Sequence, residues 1–203
     1  SGVTALPSHA FYRCTSLNSV SLPQGLETVG NYAFYYCGAL KEIQIPDTVK
    51  TLGEYAFSYS GLEEITLPEG ITQVPYNGFR ECGNLKKVTL PSTVTVLKGY
   101  AFQDCGKLNK VYFYGSAPTL EGSALYGCSA SLMLYYIDGS DGWTSPTWNG
   151  YNTAKFVPVD EENVASVPVT GGSLQVYLTT GEVIGYEGSP TKIQFPDTVE
   201  GVK

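Results

Sequence analysis

Apolar residues return along this chain in one short, fixed pattern. Phe11, Phe34, Phe57, Phe79 and Phe102 stand 23, 23, 22 and 23 residues apart. Each is followed by a leucine (Leu17, Leu40, Leu62, Leu85, Leu108) and then by two apolar residues with one polar residue between them: Val20/Leu22, Ile43/Ile45, Ile65/Leu67, Val88/Leu90 and Val111/Phe113. Period-2 alternation of this kind predicts a short strand with one buried face. The proline that follows (Pro23, Pro46, Pro68, Pro91) cannot donate to a ladder and ends the strand. Ala33, Phe34 and Cys37 have the spacing of one helical turn with its apolar side inward. Each unit is therefore expected to contain a strand, a turn, and a short helical or 3-10 turn.

A unit of this length cannot bury its Phe, Leu and Ile alone. Stacked copies about 4.8 Å apart can bury them in one column. The period predicts a repeat solenoid, an α/β fold with short strands and short helical or 3-10 turns, followed by a small β-rich C-terminal segment. The shared skeleton is A-F-x-x-C-x-x-L-x-x-I-x-L-P-x-x-V-x-x-L, with cysteine in register at Cys14, Cys37, Cys82, Cys105 and Cys128. The third repeat departs from it: Ser60 takes the cysteine position and one residue is missing before Leu62, so the stack is expected to be irregular there.

These residues resemble the tandem leucine-rich repeats of BspA-type bacterial surface proteins, whose units carry Y-A-F-x-x-C-x-x-L-x-x-I-x-I-P-x-x-V-x-x-I-G. The resemblance runs from about Val3 to Cys128. The stretch from Leu134-Tyr135-Tyr136 to Trp143, with Trp148-Asn149-Gly150-Tyr151, is similar to the capping segment that follows such arrays. The resemblance implies a leucine-rich-repeat solenoid in a secreted or cell-surface recognition protein.

Three regions are expected: a solenoid of about five repeats over 3–132, a capping segment over 133–157, and a linker, β-hairpin and the start of a further repeat over 158–203. Val157–Asn163 reads as an acidic linker, while Leu174–Leu178 and Glu182–Tyr186 flank Thr179-Thr180-Gly181 as a hairpin. Lys192–Glu200 nearly copies Glu42–Lys50, and Val3–Leu6 aligns with Leu26–Val29 without a preceding strand. Both ends look cut, so a fragment of a longer protein is expected.

Charge narrows the choice of partners. The net charge is -7, with nine basic and ten acidic groups over 1–132 but three and nine over 133–203. A nearly neutral array with an acidic tail offers nothing to nucleic acid or anionic lipid, and no apolar run is long enough to insert in a membrane.

Candidate chemistry is sparse. Cysteines one period apart point the same way, a poor geometry for bridging, so all five are expected in the core as reduced small hydrophobes. Without a C-x-x-C pair or a second histidine, no metal site is expected. His9 falls at the outward position of Tyr32, Tyr55, Asn77 and Tyr100 and has no catalytic setting. Glu63/Glu64 and Glu161/Glu162 point to opposite faces of a strand, and Asp138–Gly142 reads as a turn rather than a calcium loop. No phosphate-binding glycine loop is present. No catalytic residue and no cofactor are expected.

Function then falls to surfaces. The outward strand residues form one column, Ser21, Gln44, Thr66, Thr89 and Tyr112, beside another, Ser19, Glu42, Glu64, Lys87 and Lys110, that turns from acidic to basic. Asn18, Lys41, Glu63, Lys86 and Asn109 form a third. Such a face suits a macromolecule, and the favoured reading is a protein partner bound by Glu42, Gln44, Glu64, Thr66, Lys87, Thr89, Lys110 and Tyr112. Two alternatives remain: a glycan stacked on Trp143 and Trp148, and a structural spacer within a larger surface protein. For the tryptophans, closing the open end of the core is the preferred role, as packing is for the tyrosine column Tyr32, Tyr55 and Tyr100.

Overall fold

The computed structural model describes residues 2–158 in full and, beyond them, the backbone of three strands over 164–169, 172–177 and 183–188. The chain divides into two compact units, Ser1–Phe156 and Val157–Lys203.

The first unit is the expected stack, in which coils are numbered here by their phenylalanines from Phe11 in coil 1 to Phe102 in coil 5. Leu125 takes the ring's place in coil 6. Phe34, Phe57, Phe79 and Phe102 are fully buried. Their rings, with half-buried Phe11, stack at 5.1–5.2 Å within 11° of parallel. Leucines 40, 62, 85 and 108 form a second buried column. Each coil thus buries its apolar face on its two neighbours, as nearest-neighbour stacking requires.

Parallel ladders join the coils. Two-residue strands β1 (Ala5–Leu6), β2 (Thr28–Val29) and β3 (Thr51–Leu52) form one three-stranded sheet. The larger sheet begins in coil 3 with β4 (Glu64–Thr66). After β5 (Gln73–Val74) it continues through β6 (Lys87–Leu90). After β7 (Val96–Leu97) comes β8 (Lys110–Phe113), and after β9 (Thr119–Leu120) comes β10 (Met133–Ile137). Strands β11 (Thr147–Trp148) and β12 (Tyr151–Phe156) complete it in the order β11-β12-β10-β8-β6-β4. Strands β5, β7 and β9 form a separate three-stranded sheet.

The two three-stranded sheets occupy one column interrupted between Leu52 and Val74, and a missing donor contributes to the gap. In this column the amide after each strand donates to the coil before: Gly30 to Leu6 (3.0 Å), Gly53 to Val29 (2.8 Å), Lys98 to Val74 (3.0 Å) and Glu121 to Leu97 (2.9 Å). The equivalent residue in coil 4 is Pro75, which has no N–H to offer Leu52. The shortened third repeat adds a second irregularity, since its Gly61 lies so close to coil 2 that a Cβ there would collide with the Gly38 carbonyl.

Four expectations are corrected. First, the Ala-Phe-x-x-Cys segments are successive turns, with no helix among the described residues. Residues at two positions per coil take left-handed backbone, as at Tyr32 (φ 56) and Tyr36 (φ 60), so no helical run survives to nucleate. Alternate amides close local turns, Tyr35 onto Tyr32 and Cys37 onto Phe34, both at 3.3 Å. The others reach the next coil, with Tyr32 on Glu54 (2.9 Å), Phe34 on Ala56 (2.7 Å) and Tyr36 on Ser58 (3.0 Å). A helix would have spent all of these donors inside itself.

Second, Val20/Leu22 and Ile43/Ile45 keep their alternation but join no strand ladder. Between coils 2 and 3, Gly61 and Glu63 donate to Cys37 (3.1 Å) and Lys41 (2.9 Å). Third, Cys14 in coil 1 is exposed while Cys37, Cys82 and Cys105 are buried and Cys128 is half-buried. Fourth, Asn77 is buried rather than outward.

In the second unit, strands β13 (Val164–Val169), β14 (Gly172–Tyr177) and β15 (Val183–Gly188) form an antiparallel meander. The expected hairpin is β14–β15, with Leu174 opposite Tyr186. Strand β13 had no counterpart in the sequence reading. The repeat-like stretch 192–200 lies outside the described residues.

Candidate binding surfaces

The strand register gathers six of the eight proposed strand-face residues into two rows. Glu64, Lys87 and Lys110 lie side by side across β4, β6 and β8, as do Thr66, Thr89 and Tyr112. Glu42 and Gln44 are exposed beside them on the unladdered segment of coil 2. Lys87 is tied to Glu64 at 2.9 Å, and Lys86 to Glu63 at 2.6 Å. The Lys86 ammonium and its hydrogen bond hold the Glu63 carboxyl below the usual range. The middle of the face is thus internally neutralised. Among the described residues, Glu42 at one end and Lys110 at the other have no ion pair. Gln44, Thr66, Thr89 and Tyr114 also line a shallow groove of about 520 Å³, with Asp47 and Glu69 on its rim.

The rows continue past the residues the sequence singled out. Lys110 neighbours Met133, and Tyr112 neighbours Tyr135 in β10. In turn, Tyr135 neighbours Ala154 and Ile137 neighbours Phe156 in β12. Tyr112 stacks on Tyr135 at 4.7 Å, and Phe156 meets Tyr112 at 5.2 Å and Tyr114 at 5.3 Å, edge to face. Earlier coils carry Ser21, Gln44, Thr66 and Thr89 in this row. The outward sheet face therefore turns from polar to aromatic towards its last strands. Tyr135 could have been found by adding one more period to Tyr112.

Trp143 and Trp148 sit against the core. The Trp143 indole N–H donates to the Gly115 carbonyl (3.1 Å), and its ring stacks on Tyr136 (5.2 Å) and tilts against Phe113 (4.8 Å) and Trp148 (4.7 Å). The Asp138 segment is a turn whose carboxylate meets Lys155 at 2.7 Å.

The turn side of coils 1–3 carries a second aromatic surface. His9, Tyr32 and Tyr55 stack at 5.0 and 4.7 Å, Tyr12 and Tyr35 at 5.2 Å, and Tyr36 and Tyr59 at 4.7 Å. Tyr35 stands edge-on to both outer columns. The Arg13 guanidinium lies over Tyr36 at 5.4 Å. Tyr59 donates to Glu81 at 2.6 Å, which pushes its phenol up to about 12. The sequence reading noticed the first of these columns and missed the other two.

Cysteine thiols serve the stack. Cys37, Cys82, Cys105 and Cys128 donate to the carbonyls of Phe11, Phe57, Phe79 and Phe102 at 3.0–3.3 Å. Burial pushes Cys37 up to about 11 and Cys128 up to about 12. Among the described residues no cluster of His, Cys, Asp or Glu could hold a metal, and no helix could cross a membrane.

A family model described as BspA type leucine rich repeat region matches residues 4–131 in 6 copies. Among solved structures, a T. pallidum leucine rich repeat protein is similar, with 31% identity and a TM-score of 0.60; the match covers 65% of this chain and 62% of that one. A leucine rich cell surface protein from Faecalibacterium prausnitzii A2-165 shares the fold at 23% identity and a TM-score of 0.51, over 68% of this chain and 33% of that one. The chain thus spans less than two thirds of either. A comparison with curated proteins finds no match.

Proposed function

This chain belongs to the BspA-type leucine-rich repeat family, and on that premise we propose that it is a non-enzymatic recognition module, secreted or displayed at the cell surface, that binds a protein partner through its outward strand face. The observation that carries this reading is the change along one row of the sheet, from Thr66 and Thr89 to the stacked pair Tyr112 and Tyr135, edged by Phe156 and by Lys110 without an ion pair. Stacking does not require aromatics on a solvent face, since the earlier coils manage with Ser, Gln and Thr. Rigid tyrosines beside a free cation are the residues that dominate protein interfaces. The neutralised Glu64–Lys87 pair contributes register rather than affinity. Glycan stacking on Trp143 is less well supported, because its ring and its N–H are already engaged.

The test is an array of extracellular proteins probed with the purified chain, with Tyr112→Ser/Tyr135→Ser and Lys110→Glu run in parallel. A partner held by the wild type and weakened tenfold or more by the tyrosine pair is expected, with Lys110→Glu acting mainly on the association rate and its salt dependence. Affinity unchanged in both variants would remove the strand face from consideration.

A further inference from the structure

We propose that the aromatic field on the turn side of coils 1–3 is a second docking surface, and that its occupant is a proline-rich segment in the polyproline II conformation. The repeats themselves supply the control. The positions of Tyr35 and Tyr36 in coil 2 are filled by Gln103 and Asp104 in coil 5, with the same left-handed backbone at the second residue (φ 60 at Tyr36, 59 at Asp104). The turn therefore does not need tyrosine there. The second of the two is also a poor place for one, since left-handed backbone favours Gly, Asn and Asp over bulky side chains. Tyr36 and Tyr59 against backbone preference, with Tyr12 and Tyr35 where later coils use Ser58, Arg80 and Gln103, mark a surface kept for contact.

The chemistry of that surface selects its partner. Among the tyrosines of the field only Tyr59 has a hydrogen-bonded hydroxyl, and the Glu81 carboxylate that accepts it is also met by Arg80 at 3.5 Å. What remains exposed is ring surface, unpartnered phenol O–H groups and the Arg13 guanidinium. A fitting occupant offers apolar faces and many acceptors but few donors. A polyproline II chain does so, because its prolines have no N–H and its carbonyls are unbonded within the chain. The spacing also agrees. Polyproline II repeats every three residues, about 9 Å, close to two steps of columns whose rings lie 4.7–5.2 Å apart. Prolines on one edge of the peptide would meet every second coil. Parallel aromatic ridges are the usual receptors for such segments.

Titration of the whole chain with decaproline, followed by calorimetry and by amide shifts, tests this. A Gly-Ser peptide of equal length, cellohexaose and light scattering for self-association run beside it. The variant Tyr35→Gln/Tyr36→Asp transplants the coil 5 pair into coil 2 and so preserves the turn; Tyr100→Ala, outside the field, is the control. Expected are saturable decaproline binding, weakening of tenfold or more in the double variant, no change in Tyr100→Ala and no binding of the Gly-Ser peptide. The proposal is overturned if decaproline does not bind at millimolar concentration, or if the double variant binds it equally. It is also overturned if the tyrosines prove to govern cellohexaose binding or self-association while decaproline is silent.

Discussion

Truncation of Phe57 measures what holds the stack. Its ring is fully buried and lies 5.2 Å from Phe34 on one side and 5.2 Å from Phe79 on the other, within 7° and 4° of parallel. Phe→Ala at an enclosed site costs about 3–5 kcal/mol, including the cavity it leaves. Two ring contacts at about 0.5–1.5 kcal/mol each place Phe57→Ala towards the upper end, about 4–5 kcal/mol. Phe11 has one stacked neighbour, at 5.1 Å, and is half-buried. Losing one contact and about half the burial, Phe11→Ala should cost about 2 kcal/mol. Urea unfolding followed by far-ultraviolet circular dichroism reads both values. Fluorescence of the neighbouring Trp143 and Trp148, the first packed on Phe113 and Tyr136, reports the far end separately. Because each coil touches only its neighbours, the interior truncation should also pull the two midpoints apart, and the terminal one should not. Equal costs for the two variants, or a cost below about 1.5 kcal/mol for Phe57→Ala, would refute the claim that a continuous phenylalanine column is the main support.

Two further predictions rest on backbone and thiol chemistry. Pro75→Ala supplies the donor that Leu52 lacks. The new amide at position 75 should exchange slowly, while net stability moves by less than about 1 kcal/mol, since a new bond offsets lost proline rigidity; rapid exchange there would mean that the missing donor at Pro75 does not contribute to the gap. An aromatic disulfide reagent at pH 8 should label Cys14 quickly, half-buried Cys128 more slowly and the three buried thiols only after unfolding, and fast labelling of Cys37, Cys82 or Cys105 would refute the assigned burial. Cys37 and Cys128 are raised from 9.0 by burial, to about 11 and about 12. Their contribution is complete below pH 9 and is lost as pH rises through 11 to 12, so the urea midpoint should fall across that window, and a flat or rising midpoint would contradict it.

The sequence revealed the architecture where one residue type serves one place in every coil. Phenylalanine, leucine and cysteine columns, the strands of coils 3–5 and the third-repeat irregularity were all legible because stacking fixes them locally. What was hidden depends on two coils at once. Pro75 looks like an ordinary turn residue until its N–H is required by Leu52. The Ala-Phe-x-x-Cys spacing suits a helical turn, but donors owed to the adjacent coil and left-handed residues at Tyr32 and Tyr36 forbid one. The strand face was read up to Tyr112 and no further. Its aromatic extension through Tyr135 and Phe156 lies past the last cysteine, where the motif fades but the register holds.

The left-handed positions show how far stacking itself can justify an aromatic residue. Placing a non-glycine side chain there costs on the order of 1–2 kcal/mol, and one stacked neighbour returns about 0.5–1.5 kcal/mol. A tyrosine in these positions therefore roughly breaks even beside one partner and becomes favourable between two. Tyr32 is in the second situation, between His9 and Tyr55. Tyr36 and Tyr59 have one stacked ring apiece, each other, with the Arg13 cation over Tyr36 as a supplement. Tyr100 has no stacked ring among the described residues and is 45% exposed. The aromatic run of coils 1–3 is thus self-supporting once begun, and it ends where Asn77, Glu81 and Asp104 restore residues that left-handed backbone prefers or tolerates. Neighbour support explains why the run can persist without destabilising the fold. It does not explain why Tyr12 and Tyr35 fill positions that later coils leave to Ser58, Arg80 and Gln103 under ordinary right-handed backbone, and that residue choice is what assigns this surface to contact rather than to packing.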